Sequence, residues 1–198
     1  MTRPAALVAG LAAAFAVALG GCGSDSASDP APRPAETFDE LPPLAGWKPH
    51  VNSSAGFAFG LPPGWEARNR GTATGVTSLD QLAVVTISAD RTREALELPL
   101  EEFASRTLAA RPGYERALSP NEPQGFEHPY AGVAVEAEGV AKGTGVAQRV
   151  EVVVLRRSKL VTLTAVIAVN ASPAGAPSAV IAERMVATLR SRPIGGGV

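Results

Sequence analysis

The chain has 198 residues, of which 45% are hydrophobic and 19% charged, with one cysteine and a net charge of −1 at pH 7. A charge this close to zero does not suggest nucleic acid as a partner, because proteins that bind it present a strongly basic face. A single cysteine excludes an internal disulfide, so the folded part must depend on its apolar core.

The first 22 residues are typical of a bacterial lipoprotein leader. Arg3 gives a positive start, and residues 5–19 form a charge-free apolar run, shorter than the about 20 residues that a membrane-spanning helix needs. Gly20, Gly21 and Cys22 follow, and they supply small residues and a thiol. This arrangement resembles the bacterial lipobox, which implies cleavage between Gly21 and Cys22 and acylation of Cys22 as a membrane anchor.

A second interpretation of the leader is ordinary secretory cleavage. Residues 16–18 have the sequence Ala-Val-Ala, which fits the A-x-A pattern. Cleavage there would release a soluble protein with a free thiol at Cys22.

The composition divides the chain into four parts. These are a signal peptide at 1–21, a lipidated cysteine with a disordered tether at 22–46, one domain at 47–193 and a disordered tail at 194–198. The tether is predicted from its small polar residues, prolines and acidic charge. Residues 23–46 have a net charge of −4, because Arg33 stands against five acidic residues, Asp25, Asp29, Glu36, Asp39 and Glu40.

The domain is predicted to open with a β-hairpin. Phe57, Phe59 and Leu61 alternate with small residues, which predicts a strand, and residues 62–64 (Pro-Pro-Gly) predict a turn into a second strand at residues 65–68. Residues 82–88 (LAVVTIS) are apolar at alternate positions on both faces of the strand, which predicts an interior strand covered on each side.

A helix is predicted next, followed by a loop and a three-stranded meander. Pro99 and two glutamates suit the first turn of the helix, and residues 111–113 (Arg-Pro-Gly) end it. Residues 114–130 are predicted to be mostly loop. The meander is predicted at residues 131–140, 146–155 and 160–169, since short turns join antiparallel neighbours.

A final helix is predicted to start near Pro177 and to stop before Pro193. The order of elements predicts an α+β fold, in which an antiparallel β-sheet is flanked by helices as an α/β/α sandwich.

Residues 57–65 (FAFGLPPGW) resemble the opening motif of PsbP-like domains, which include the Ran-binding Mog protein and PsbP. Together with the leader and tether, the chain resembles actinobacterial lipoproteins of the LpqN/LpqT type. The resemblance implies a PsbP-like fold and a protein-binding or accessory role. Its motifs concern packing, so it implies no active site.

The residues suggest no catalytic or metal centre, and no cofactor is expected. His50 is predicted to lie in a loop before the first strand, and His128 is predicted to form a surface pair with Glu127, because a metal site needs several ligands at short spacing. Residues 142–145 (Lys-Gly-Thr-Gly) predict a hairpin turn.

Two groups of charges lie on the predicted meander. Glu136 and Glu138 share one face of a strand, and Arg149 is predicted to pair with them across to the next strand. A basic turn contains Arg156, Arg157 and Lys159. It is interpreted as a solvated tip that hinders aggregation, or alternatively as a contact for acidic lipid heads or an acidic partner.

These features predict a membrane-anchored lipoprotein at the extracytoplasmic face of the cell membrane. Its predicted role is that of a non-catalytic module that binds an envelope protein partner. The alternative is a carrier of lipids or other apolar molecules, in a pocket between the sheet and its helices. A hydrolase with a polar cleft around His128 is a third hypothesis.

Overall fold

The computed structural model describes residues 44–114, 119–157 and 159–192. The predicted leader, Cys22, most of the predicted tether and the predicted tail lie outside these residues. Among the described helices, none combines the length and apolar character that crossing a membrane requires.

The described residues form eleven strands, three α-helices and one 3-10 helix at Pro173–Gly175. The strands are β1 (Lys48–Asn52), β2 (Phe57–Leu61), β3 (Glu66–Arg70), β4 (Ala73–Thr77), β5 (Ala83–Asp90), β6 (Ser119–Pro120), β7 (Gln124–Gly125), β8 (Ala131–Val140), β9 (Ala147–Arg157), β10 (Val161–Asn170) and β11 (Arg190–Ser191). The helices are α1 (Arg93–Glu97), α2 (Leu100–Ala109) and α3 (Ala176–Ala187).

The strands form two antiparallel sheets. Sheet A has the order β1-β2-β11, and sheet B has the order β3-β4-β5-β10-β9-β8-β6, with β7 also paired to β8. The predicted α+β class with an antiparallel sheet is therefore confirmed.

The meander of β8, β9 and β10 is confirmed at the centre of sheet B. Val135 pairs with Val152, which in turn pairs with Val166, so all three side chains lie in one row on one face. The predicted turn between β8 and β9 is also present, and Gly143 and Gly145 adopt positive φ there (+83° and +64°), which glycine permits without strain.

Helices α2 and α3 pack on opposite faces of sheet B. Leu108 of α2 packs with Val152 and Val166, whereas Met185 of α3 packs with Leu163, whose side chain points to the other face of β10. The predicted starts of both helices are confirmed, because α2 begins directly after Pro99 and α3 has its proline in the first turn. The predicted end of the last helix is wrong, because α3 ends at Ala187 and Arg190–Ser191 form β11. The result is the predicted α/β/α arrangement.

The predicted hairpin of residues 57–68 is wrong. Strand β2 pairs with β1 and β11 of sheet A, whereas β3 pairs with β4 of sheet B. The turn at Pro62–Gly64 does form, since Trp65 N donates to Pro62 O at 3.2 Å and Gly64 has φ of +78°. This turn carries the chain from one sheet to the other instead of folding it back on itself.

Several short elements were not predicted. Strand β1 contains His50, which the sequence placed in a loop, and it forms through pairing such as Lys48 with Leu61. Helix α1 is capped by Thr92, whose hydroxyl accepts from Ala95 N at 3.3 Å. Strand β4 and the two-residue strands β6, β7 and β11 were not predicted either.

Candidate functional site

The face of sheet B that carries α2 is only partly covered by helices. In one row across the sheet, Val135, Val152 and Val166 are buried with α2. The same row continues through Thr86 to Gly75, which are both partly accessible to solvent. The helices therefore cover the β8–β10 part of this face and leave the β3–β5 part open.

The open part forms a groove of about 690 Å³, called here the β3–β5 groove. The prediction that residues 82–88 are covered on both faces is wrong, because Val84 is 45% exposed in this groove. The groove is lined by Gly64, Glu66, Arg68, Arg70, Ala73, Gly75, Thr77, Ser78, Leu79, Gln81, Val84 and Thr86.

Leu79 is the most exposed large apolar side chain of the groove, at 79%. It lies in the loop between β4 and β5 and is next to Gly64. A Cβ added at Gly64 would come within 3.3 Å of Leu79 Cδ2. Gln81, in the same loop, has a positive φ of +58°, an uncommon conformation for a residue with a side chain.

Hydrogen bonds hold this loop in place. Asp80 Oδ1 accepts from Ser78 Oγ at 2.5 Å and from Leu82 N at 3.0 Å, and Asp80 Oδ2 accepts from Ser178 Oγ of α3 at 2.8 Å. These donors, Ser78 first, hold the pKa of the Asp80 carboxyl below its usual range. Leu79 is consequently presented to solvent by a loop that is fixed at both its strand and helix sides.

The far wall of the groove carries charge. Glu66, Arg68 and Arg70 alternate along β3 and therefore point to the same face. Arg68 lies 3.4 Å from Glu66, but both side chains are well exposed, so this ion pair adds little stability. With two cations and one anion, this wall presents a net positive charge beside an apolar anchor.

The structure does not bring the residues of the predicted basic contact together on one surface. Arg156 donates to Ala95 O of α1 at 2.7 Å, and Arg157 donates to Ser191 Oγ of β11 at 2.9 Å. Both arginines are half-buried, unlike the solvated tip that the sequence suggested, whereas Lys159 is exposed. A role of these residues in membrane or partner contact stays a prediction.

His128 is half-buried, whereas the sequence predicted a surface pair with Glu127. Its Nδ1 accepts from Tyr130 N at 3.0 Å, while its Nε2 lies 2.9 Å from Leu189 O and 2.8 Å from Arg190 Nη1. Arg190 donates to the same carbonyl at 2.8 Å. Both ring nitrogens therefore have partners within the domain, and His128 is not among the residues that line the groove.

The remaining residues that the sequence singled out form contacts within the domain. Arg149 Nε lies 3.9 Å from Glu136, which confirms the predicted cross-strand ion pair. His50 Nε2 lies 2.9 Å from Asn69 Oδ1 of β3. Among the described residues, no three His, Cys, Asp or Glu side chains lie close enough together to hold a metal ion.

Comparison with models of protein families finds no match, and comparison with curated proteins finds none either. Solved structures do match. Cyanobacterial PsbP (CyanoP) from Synechocystis sp. PCC 6803 aligns with a TM-score of 0.51 at 12% identity, over 87% of this chain and 98% of its own. Protein Mog1 aligns with a TM-score of 0.50 at 11% identity, over 74% of this chain and 96% of its own.

A protein from Bacteroides thetaiotaomicron also aligns, with a TM-score of 0.51 at 13% identity over 77% of this chain. The alignment covers 51% of the Bacteroides protein, so this chain spans about half its length. At these identities the matches concern the fold alone. The described domain has the PsbP/Mog1-like fold that the FAFGLPPGW motif predicted.

Proposed function

We propose that the protein is a lipid-anchored module on the extracytoplasmic face of the cell membrane, and that its domain binds a polypeptide partner in the β3–β5 groove without catalysing a reaction. The observation that supports this proposal is Leu79, a fully presented apolar side chain that a rigid loop holds beside two arginines. Isolated exposed apolar residues are common, but this one borders an open concave sheet face.

The physical advantage of this arrangement is preorganisation. A partner that covers Leu79 does not have to order its loop, because the hydrogen bonds of Asp80 already do so. Burying a leucine side chain contributes about 1.5–3 kcal/mol. Arginine is enriched at protein interfaces, and Arg68 and Arg70 supply it on the opposite wall.

The structural comparison is compatible with a binding role. Mog1p of Saccharomyces cerevisiae is described as a Ran-binding protein, so its name associates this fold with protein binding. The open part of sheet B supplies the surface on which this chain would perform such a role.

The alternative, a carrier of apolar molecules, needs a hollow between the sheet and its helices. Val152, Leu163 and Met185 occupy those interfaces and are fully buried. The β3–β5 groove lies on a part of the sheet that no described helix covers. We therefore favour a protein-docking role over a carrier role.

Docking in the groove can be tested by placing a photo-crosslinking amino acid at position 79 in the membrane-bound protein. The control position is Val180, which is also apolar and 55% exposed but lies on α3. We expect a discrete adduct from position 79 that an added Arg70→Glu substitution abolishes. The same adduct from both positions, or an adduct insensitive to Arg70→Glu, would count against docking in the groove.

The anchor can be tested independently. We expect the protein to incorporate a labelled fatty acid and to sediment with membranes, and we expect Cys22→Ser to lose both properties. If the wild type and the variant are equally unlabelled and both soluble, the lipoprotein assignment is wrong and cleavage after Ala18 becomes the better interpretation.

A further inference from the structure

We propose that the β3–β5 groove binds the acidic segment Glu36–Leu41 of the protein's own tether. The inference rests on the groove being a docking surface, as proposed above, and names its resident occupant. Three independent observations support it: the place where the tether joins the domain, the length of chain available, and the opposite charges of the two partners.

The tether joins the domain at the Leu79 end of the groove. Trp47 N donates to Leu44 O at 3.0 Å, which fixes the first described residues in a turn. Gly46 lies against Pro63, because a Cβ at Gly46 would be 3.8 Å from Pro63 Cγ. The next residue, Gly64, lines the groove beneath Leu79.

The segment is long enough to follow the groove. Strand β3 leads from Gly64 to Arg70 in six residues, roughly 20 Å at 3.3 Å per residue. The eight residues that separate Glu36 from Leu44 span up to about 26 Å when extended. In an antiparallel course along β3, Glu40 comes level with Arg68 and Phe38 with Arg70, and Glu36 lies two residues beyond, within reach of the long Arg70 side chain.

The charges and apolar residues of the two surfaces match. Glu36, Asp39 and Glu40 give the segment three negative charges, while β3 presents Arg68 and Arg70. The segment also contains Phe38 and Leu41, which can cover the apolar surface of the groove. Each contact is individually weak, but a short covalent connection gives an effective concentration on the order of millimolar.

Occupation of the groove by the tether would have a functional consequence. A partner polypeptide would have to displace Glu36–Leu41, so the apparent affinity of the groove for that partner would be lower than for an unoccupied groove. The same acidic and apolar pattern indicates the chemistry of such a partner, namely an extended acidic segment with apolar side chains. The protein's own segment Glu36–Leu41 is favoured as the occupant, because its covalent connection keeps it beside the groove.

The test uses paramagnetic broadening in the full-length chain in detergent micelles. A nitroxide is attached at Thr37→Cys in a Cys22→Ser background, and the amide resonances of β3, β4 and β5 are recorded. We expect broadening concentrated at Arg70, Ala73 and Gly75. We expect its loss in Arg68→Glu/Arg70→Glu, and its return when Glu36, Asp39 and Glu40 are also changed to lysine.

Lys142→Glu/Lys159→Glu is the matched control, since both lysines are exposed and lie outside the groove. It should leave the broadening unchanged, and unshifted β8–β10 resonances establish that each variant folds. Broadening spread evenly over the surface, broadening that survives charge reversal, or loss in the lysine control would overturn the proposal.

A mixture of labelled and isotope-enriched chains identifies the source of the segment. Broadening that appears between different chains would replace the own segment by that of a second copy and would overturn the proposal. No partner is present in this experiment, so its failure leaves the crosslinking test of the proposed function unaffected.

Discussion

The Arg149 guanidinium on β9 lies 3.3 Å from the Glu183 carboxylate on α3, so one arginine joins the helix to the sheet. The same arginine pairs with Glu136 on β8. Glu151 lies directly opposite Glu136 in the strand register. Burial, then the charges of Glu183 and Glu136, raise the pKa of Glu151 from 4.5 to about 7, and Arg149 only partly opposes them.

This cluster predicts that stability falls as pH rises from about 4.5 to about 7. In that range unfolded Glu151 has lost its proton while folded Glu151 retains it, so the folded state binds more protons and the free energy of unfolding decreases with pH. The contribution is at most about 3 kcal/mol, since each pKa unit corresponds to about 1.4 kcal/mol. Urea denaturation across this range measures it.

Glu151→Gln should flatten this pH dependence, because the amide does not titrate. Glu138→Gln is a suitable control, since Glu138 is exposed on the neighbouring strand. A decline with pH that is equally steep in Glu151→Gln would show that other groups cause it.

Tyr130→Phe should destabilise the domain. The Tyr130 hydroxyl accepts from Ser191 N at 3.1 Å, and Ser191 is buried, so the substitution removes an acceptor from a buried N–H. Such a loss costs about 1–3 kcal/mol. Denaturation midpoints measure the loss, and Tyr114→Phe, which removes a longer 3.3 Å bond at a half-buried site, should cost less. Equal losses of stability in the two variants would contradict the larger contribution expected of the Tyr130 hydroxyl.

Leu79→Ala should leave the free energy of unfolding within about 0.5 kcal/mol of wild type, because its side chain is mostly solvated. Phe57→Ala, by contrast, should cost about 3–5 kcal/mol, because Phe57 is fully buried in the core. Chemical denaturation compares the two variants. A large loss of unfolding free energy in Leu79→Ala would mean that the Leu79 side chain stabilises the fold, and would count against its proposed role in binding a partner.

Gly175→Ala should destabilise the turn that precedes α3. An added Cβ would overlap the Asn170 carbonyl oxygen and also approach Val169 Cγ1 at 3.0 Å, so the end of β10 would have to shift. Overpacking of this kind typically costs about 1–3 kcal/mol, which thermal or chemical denaturation measures. Gly75→Ala is the control, because a Cβ at Gly75 would meet no atom within 4 Å and little change is expected there.

Local patterns predicted the parts of the fold that local interactions determine. The meander was predictable because its turns are short and its strands alternate or are continuously apolar. Strand β1 was not, because the sequence of Lys48–Asn52 contains a proline and polar residues, and its strand structure comes from pairing with β2. The hairpin error has the same origin, since β2 takes Arg190 as a partner 132 residues along the chain from Ala58.

The candidate site depended on distant parts of the chain in the same way. The sequence around Val84 and Thr86 predicts side chains that are buried on both faces of the sheet. The β3–β5 part of the sheet is open because α2 does not extend over it, and the sequence of β5 does not contain that information. His128 likewise finds Leu189 and Arg190, 61 and 62 residues away. One local signal existed: Glu66, Arg68 and Arg70 alternate after Trp65, which predicts a charged strand face at a sheet edge.

The pairing of β11 with β2 also bears on the order in which the polypeptide can acquire its native form. Sheet A needs Arg190 and Ser191, which are synthesised after nearly all other described residues. The inner edge of β2 therefore stays open until the end of the chain emerges, and contacts this far apart in sequence form slowly. Completion of this sheet is thus one of the last steps of folding, and it can occur only once nearly the whole chain has been synthesised.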